Sequence, residues 1–277
     1  MFSTTTCQPE SLTAQVPYVQ ESECAKELME SVTYARRIQQ AILPNQFLFT
    51  TTFADSFTMY QPKNVVSGDF YYHARLGHKT VVAVADCTGH GVPGAMVSIM
   101  CYTILDDIVK CNGISAPAHI LARLDKAVRK MFKQGHDGHG IDDGMDIAIC
   151  TVDHAASTLE FAGANRPMFH FRKGELNIVQ GNKNGVGGKP NPNLERFDSV
   201  TVPFELGDSI YMFSDGYTDQ FGGKDNKKFM RKRFIALLQS IQNLDMADQE
   251  TYLQEELQSW KGGNFQTDDI TVMGLKL

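Results

Sequence analysis

Thr80-Val81-Val82-Ala83-Val84-Ala85-Asp86-Cys87-Thr88-Gly89-His90-Gly91-Val92-Pro93-Gly94-Ala95 is the stretch from which the rest of the chain can be read. Residues 80–85 form a nearly unbroken apolar run, as expected of a strand buried on both faces. The run stops on an acid, Asp86, and passes into glycines at 89, 91 and 94. Glycine lets backbone carbonyls and a ligand approach closely. Pro93 suits the first turn of a helix, which the pattern predicts over Pro93–Lys110. The unit is therefore buried strand, acid, tight turn, helix.

Outward from it, strands are predicted at Phe53–Tyr60, Asp69–Leu76 and Lys79–Asp86, and a second helix at Pro117–Lys133. Residues 134–144 (QGHDGHGIDDG) read as a loop. Strands follow at Met145–Val152, Thr158–Ala162, Met168–Arg172 and Leu176–Gln180, then a loop at Gly181–Asn193. Further strands are predicted at Phe197–Val202 and Ser209–Phe213, helices at Lys228–Gln242 and Met246–Trp260, and a last strand at Ile270–Leu277. Helices inserted in pairs among meandering strands indicate an α+β layered domain, not a regular βαβ sheet.

The N-terminal part is organised differently. Residues 1–20 are polar and aperiodic and read as a flexible tail. Between Glu21 and Leu43, Ala25, Leu28, Met29, Val32, Ala35, Ile38 and Ile42 recur at steps of three and four, one face of a helix. Ser22 can cap that helix and Pro44 ends it. Its stripe either packs on its own domain or continues to a partner. The expected division is thus tail 1–20, helix 21–44 and domain 45–277.

Composition limits the function. The 277 residues carry 26 Lys+Arg against 32 Asp+Glu, a formal charge of −6, which argues against a dedicated nucleic-acid binder. Six scattered cysteines form no C-x-x-C pair, which argues against a zinc framework or disulfide scaffold. No stretch is expected to span or insert into a membrane, and the first 20 residues lack a signal-peptide pattern, so the protein is expected to be cytoplasmic.

Acids recur at strand ends. Asp69 opens one strand, Asp86 closes another, Asp215 follows Ser209–Phe213, and Asp268-Asp269 precede Ile270. Any single one is explained by turn formation. Together, converging carboxylates repel unless a cation sits between them. Oxygen donors without a cysteine or paired-histidine motif suit the hard ions Mg²⁺ or Mn²⁺. Water shared by two such ions has a lowered pKa and can attack phosphorus.

These residues carry a resemblance. Val84–Ala95, with Ser67-Gly68-Asp69-Phe70 upstream, Phe213-Ser214-Asp215-Gly216 later and Asp268-Asp269-Ile270-Thr271 at the end, resembles the SpoIIE/RsbU branch of the metal-dependent protein phosphatases, which are protein phosphatase 2C-like. Tyr34–Pro44, Asp143-Gly144-Met145-Asp146 and Phe161–Asn165 are similar to flanking family segments. The resemblance runs from about residue 31 to 277.

It implies an αββα sandwich of two antiparallel sheets. It implies two divalent cations, Mg²⁺ or Mn²⁺, bridged by Asp86, with the Cys87 carbonyl on the second and Asp215 and Asp268 on the first. Asp69 would act directly or through a water, and Asp269, Gly216, His90, Asp143 and Asp146 would support the metals or the substrate. The implied reaction is hydrolysis of phosphoserine or phosphothreonine by water, without a phosphoenzyme. The implied substrate is a phosphorylated anti-sigma-factor antagonist, a STAS-domain protein in bacterial partner switching. The alternatives are a silent partner-binding module of the same fold and a small-molecule phosphoesterase.

Some positions depart from the pattern or stay open. His90 reads either as a general acid or as a loop histidine packed beside the turn. Asp142, Asp143 and Asp146 read as further ligands or as loop solvation. Asn184-Gly185-Val186-Gly187-Gly188 lacks the proline many relatives carry, so this loop is expected to be loose. Arg166, Arg75 and Arg36 are candidate phosphate ligands by residue type alone. Lys227–Arg233 holds five basic residues and reads as a solvated helix face or a steering patch for an acidic partner. About 20 residues precede the first helix, too few for a sensor domain, so the helix is expected to dimerise or to dock a separate regulator.

Overall fold

The computed structural model describes residues 18–134, 140–188 and 197–277. The predicted tail lies outside the described residues as far as residue 17, as do residues 135–139 and 189–193 of the two predicted loops.

Helix α1 (Tyr18–Ile42) begins three residues before the predicted start, so Ser22 lies within it rather than capping it. Pro44 ends it, and a short helix α2 (Gln46–Thr50) follows, capped by the Asn45 side chain, which accepts the Phe47 N–H at 2.9 Å. Strands β1 (Asp55–Gln61), β2 (Asp69–Leu76) and β3 (Lys79–Cys87) come next. Helix α3 (Gly91–Asp106) runs on into a π-helical turn as far as Cys111, not as one regular helix to Lys110. After α4 (Pro117–Met131) come β4 (Gly144–Asp153), β5 (Thr158–Ala164), β6 (Met168–Arg172) and β7 (Glu175–Val179). The short β8 (Val186–Gly187), then β9 (Val200–Pro203) and β10 (Ser209–Phe213), lead to the one-turn helix α5 (Gly216–Asp219). A small hairpin of β11 (Phe221–Gly222) and β12 (Lys227–Lys228) precedes α6 (Arg231–Ser240), α7 (Met246–Lys261) and β13 (Ile270–Lys276). The predicted helix at Lys228 thus starts later, and the basic run is split between hairpin and helix.

The strands form two antiparallel sheets, ordered β2-β3-β4-β5-β9 with β8 on β4, and β1-β13-β10-β6-β7. Strand β3 shows why they stack. Val81, Ala83 and Ala85 face a core with Leu105 of α3 and Leu121 and Leu124 of α4. Val82 and Val84 face the other way, toward Ile210, Met212, Met273 and Leu275 of the second sheet. The far side of that sheet buries Tyr211 and Phe213 against Phe234, Leu238, Leu253 and Leu257 of α6 and α7. The layers are helix, sheet, sheet, helix, the expected αββα sandwich.

Two further features differ from expectation. The helical stretch Gly91–Cys111 is long and apolar enough to cross a membrane. Val97, Cys101 and Leu105 pack it on the first sheet, which accounts for its composition. Helix α1 docks mainly through its last turns. The Gln39 amide donates to the Ser67 carbonyl (2.6 Å) and to Ser98 Oγ (2.9 Å), and its oxygen accepts the Ser67 N–H. Ile42 and Leu43 join the first core, while Leu28, Met29 and Tyr34 are exposed.

Candidate metal centre

Register builds the site. The β2–β3 ladder sets Asp69 opposite Asp86, and the β3–β4 ladder sets Asp86 opposite Asp146, so three acids form one row across the first sheet. The second sheet contributes Asp215 just after β10 and Asp268 just before β13, which are neighbouring antiparallel strands. Asp86, Asp146, Asp215 and Asp268 line one cleft of about 360 Å³. Burial pushes the Asp86 carboxyl up to about 7, Arg166 opposes this, and the charges of Asp215, Asp268 and Asp146 add to the rise.

Arg166 sits among these acids. Its Nη2 donates to Asp86 Oδ2 at 2.6 Å and to Asp215 Oδ2 at 2.7 Å, and lies 3.4 Å from Asp146 Oδ2. Burial disfavours the guanidinium charge, but the carboxylates more than offset it and its pKa rises. Its Nε is buried without a partner. The backbone holds it in place from both sides. Asn165 adopts a left-handed φ of 58° and donates its amide to Asp146 Oδ1 at 2.8 Å. Gly163 and Gly181 pass so close that a Cβ would lie 2.0 and 2.6 Å from the Arg166 carbonyl oxygen. Arg75, by contrast, donates to the Gly77 carbonyl in its hairpin, and Arg36 lines a groove with Lys63 and Asn64. Neither lines the cleft.

The other predicted residues divide into cleft and support. Asp69 does not line the cleft. It is buried, and its Oδ2 accepts the Thr271 hydroxyl at 2.8 Å, across the sandwich. Burial and the Asp86 charge raise its pKa well above the usual carboxylate range. Asp269 clamps the loop before β2, accepting the Lys63 N–H at 2.6 Å and the Gly68 N–H at 2.7 Å. Gly216 packs on the Asp269 backbone, where a Cβ would lie 2.0 Å from its carbonyl oxygen. Cys87 lines the cleft while its thiol is buried, and burial raises that thiol's pKa.

His90 lines the cleft and is braced on both ring nitrogens. Lys63 Nζ lies 2.9 Å from Nε2, and an ammonium only donates, so Nε2 accepts. Nδ1 then carries the proton and donates to Asn64 Oδ1 at 3.0 Å.

Asp142, not Asp143, lines the cleft; the Asp143 carbonyl instead accepts from Gln134 and from Gly188 N. The loop at 185–188 is pinned, not loose. Arg129 of α4 donates to the Gly188 and Gly187 carbonyls (2.7 and 3.2 Å), and Asp125 accepts the Gly187 N–H at 2.7 Å. Gly187 and Gly188 have positive φ, so two anchors on a neighbouring helix do the work of the missing proline. The sequence signal for this was only an Asp and an Arg four apart on a helix.

Among the described residues no three carboxylate, histidine or thiol groups stand close enough to hold one ion in this arrangement. Arg166 Nη2 lies between Asp86 and Asp215, within hydrogen-bond distance of both. A cationic stand-in between all-oxygen donors fits a hard divalent cation at the same acids.

Comparison with known proteins bears on family and fold. The family profile of stage II sporulation protein E (SpoIIE) matches residues 77–277. Phosphoserine phosphatase RsbU of Bacillus subtilis (strain 168) is 23% identical over 199 residues, which cover 70% of this chain and 55% of that relative. The chain thus spans about half the length of that curated relative. The SiaA-PP2C domain of Pseudomonas aeruginosa superposes with a TM-score of 0.82 at 30% identity, covering 92% of this chain and 98% of that one. The PP2C phosphatase domain of SpoIIE from Bacillus subtilis, with a fragment of its regulatory domain, superposes with a TM-score of 0.63 at 20% identity, covering 80% and 62%.

Proposed function

This chain belongs to the stage II sporulation protein E (SpoIIE) family, and from that premise we propose that it is a Mg²⁺- or Mn²⁺-dependent serine/threonine protein phosphatase. The observation that carries the proposal is the convergence of Asp86, Asp146, Asp215 and Asp268 from two sheets on one cleft, with a cation between two of them. Asp86, Asp215, Asp268 and the Cys87 carbonyl would hold the ions, with Asp146 beside them. When bound, two divalent cations supply Lewis acidity to the phosphoryl group and lower the pKa of water.

The chain's own residues supply placement. Thr271 fixes Asp69 beside Asp86, and Asp269 fixes the Lys63–Gly68 loop, whose Lys63 reaches His90 of the cleft. Arg166 balances the charge of Asp86 and Asp215 and carries a guanidinium suited to phosphate oxygens. In the net reaction the water oxygen bonds to phosphorus, the P–O bond to the seryl or threonyl oxygen breaks, and that oxygen leaves with a proton.

The substrate in this proposal is the phosphoserine form of a STAS-domain antagonist, and the setting is bacterial and cytoplasmic. The exposed apolar face of α1, with Leu28 at 65% and Met29 at 56% exposure, supports a homodimer or regulator contact through residues 21–44. Turnover of p-nitrophenyl phosphate with Mn²⁺, its loss in EDTA, and its loss in Asp86→Ala are the expected results. Equal turnover with and without metal would sink the two-cation mechanism. No turnover on this ester or on any phosphopeptide would favour a silent binding module.

A further inference from the structure

A second, larger groove of about 1140 Å³ opens between the β11–β12 hairpin and α6. It is basic in an acidic chain. Lys224, Lys227, Lys228, Lys232 and Arg233 line it against one carboxylate, Asp225. Lys228 pairs with Asp219 (2.6 Å) and Lys227 with Asp225 (3.2 Å). Among the described residues Lys224 and Lys232 have no carboxylate within ion-pair distance, and both are exposed.

The groove is also built, not a chance gap between loops. Its floor is Trp260, edge-on to the buried Phe229 at 5.4 Å, with the Arg233 guanidinium stacked over the indole at 4.1 Å. Trp260 Nε1 donates to the Gln220 carbonyl at 3.0 Å. Gly222 and Gly223 pass so near that a Cβ would lie 1.9 Å from the Trp260 carbonyl oxygen and 2.5 Å from its ring. The indole is therefore clamped from both sides, a rigid apolar platform with a cationic rim.

The groove adjoins the catalytic cleft through α5. Asp215 at the head of that turn lines the cleft, and Asp219 at its foot holds Lys228. Four residues of helix separate them by roughly 6 Å. The Lys228 ammonium senses both ends: the Asp219 hydrogen bond raises its pKa most, and the Asp215 charge contributes.

We propose that this groove receives the acidic segment flanking the phosphorylated serine of the protein substrate, with carboxylates on Lys224 and Lys232 above a floor fixed by the Arg233–Trp260 stack. The proposal rests on the phosphatase reading and names its substrate class. An acidic segment fits because the cations complement it where the surrounding chain repels it, so charge sets the register of the peptide.

The test uses the full chain with Mn²⁺ and two synthetic phosphoserine peptides of equal length, one with Asp/Glu flanks and one with Gln in their place. The wild type is expected to favour the acidic peptide about tenfold in kcat/KM, mainly through KM, and to lose that preference in high salt. The double variant Lys224→Glu/Lys232→Glu should abolish or invert the preference while p-nitrophenyl phosphate turnover stays within about twofold. That small ester also reports that the variant is folded. No preference in the wild type, or an unchanged preference in the double variant, overturns the groove assignment and leaves the phosphatase reading intact. Absence of p-nitrophenyl phosphate turnover in the wild type overturns the phosphatase reading, and this assignment with it.

Discussion

Arg166→Met removes the cation between the acids and keeps most of the side chain's length. Arg166 is 12% exposed and contacts Asp86 and Asp215, 20% and 39% exposed, at 2.6 and 2.7 Å. At an effective dielectric near 20 one such contact is worth roughly 6 kcal/mol before desolvation is subtracted. Removing one partner of a buried pair costs about 3–5 kcal/mol. The lower end applies here, because the cleft is open and Asp86, already pushed up to about 7, can relieve repulsion by taking a proton. A loss of about 3 kcal/mol corresponds to a midpoint lowered by roughly 6–12 °C for a chain of this size. The same contacts must break before an ion reaches Asp86 and Asp215, so the variant should bind Mn²⁺ about 10–100-fold more tightly. Differential scanning calorimetry in EDTA reads the first effect and isothermal titration with Mn²⁺ the second. A metal-free variant as stable as wild type, or one that binds Mn²⁺ no more tightly, would refute the role of Arg166 as resident counter-cation.

Two further expectations concern the scaffold. Asp208 is buried and accepts from His170 Nε2 (2.8 Å), Arg172 Nε (3.0 Å) and the Glu205 N–H (3.0 Å). Burial raises its pKa, but the Arg172 contact and the other donors outweigh this and hold it below the usual carboxylate value. Its contribution is therefore present above about pH 4 and lost as pH falls through the lowered folded value. Asp208→Asn should cost about 2 kcal/mol at pH 7 and progressively less toward pH 2; a difference constant across that range in urea titrations would be inconsistent with this. Leu28→Glu with Met29→Glu should lower the oligomeric mass measured by light scattering while p-nitrophenyl phosphate turnover persists. An unchanged mass would remove the stripe on α1 as the contact. Truncation at Thr50 is a poor substitute, because it also removes Gln39 and the buried Phe49.

Legibility followed how local each feature is. The run at 80–85 reads as a central strand because both its faces are covered, and β3 buries alternate residues in two different cores. The acids at strand ends were visible because each interrupts an apolar run. The β11–β12 hairpin was not visible: a lysine pair has little strand preference, and its pairing is settled by Trp260 packing under Gly222 and Gly223. Helices α2 and α5 escaped because a single turn carries no period to detect.

The candidate site divides along the same line. Asp86, Asp215 and Asp268 were named from sequence and line the cleft; Asp69, expected to act directly or through a water, is buried opposite Asp86 with its Oδ2 on the Thr271 hydroxyl. His90 was left between two roles, and the lysine that braces its ring lies 27 positions away. Arg129 pins a loop that its own sequence predicts to be loose.

By itself the sequence determined the family pattern, the layered α+β class and which acids end which strands. Those follow from composition, periodicity and motif order, which need no knowledge of what lies across the sandwich. Only the tertiary structure decided that Asp146 completes the acid row, that Arg166 stands among the acids, and that the Asp69 carboxylate turns to Thr271. Ladder register sets the first, and a left-handed Asn165 with two close-passing glycines sets the second. The third is set by a hydroxyl from the opposite sheet. Each depends on contacts 19 to 202 residues apart, separations at which no local pattern in the chain carries information.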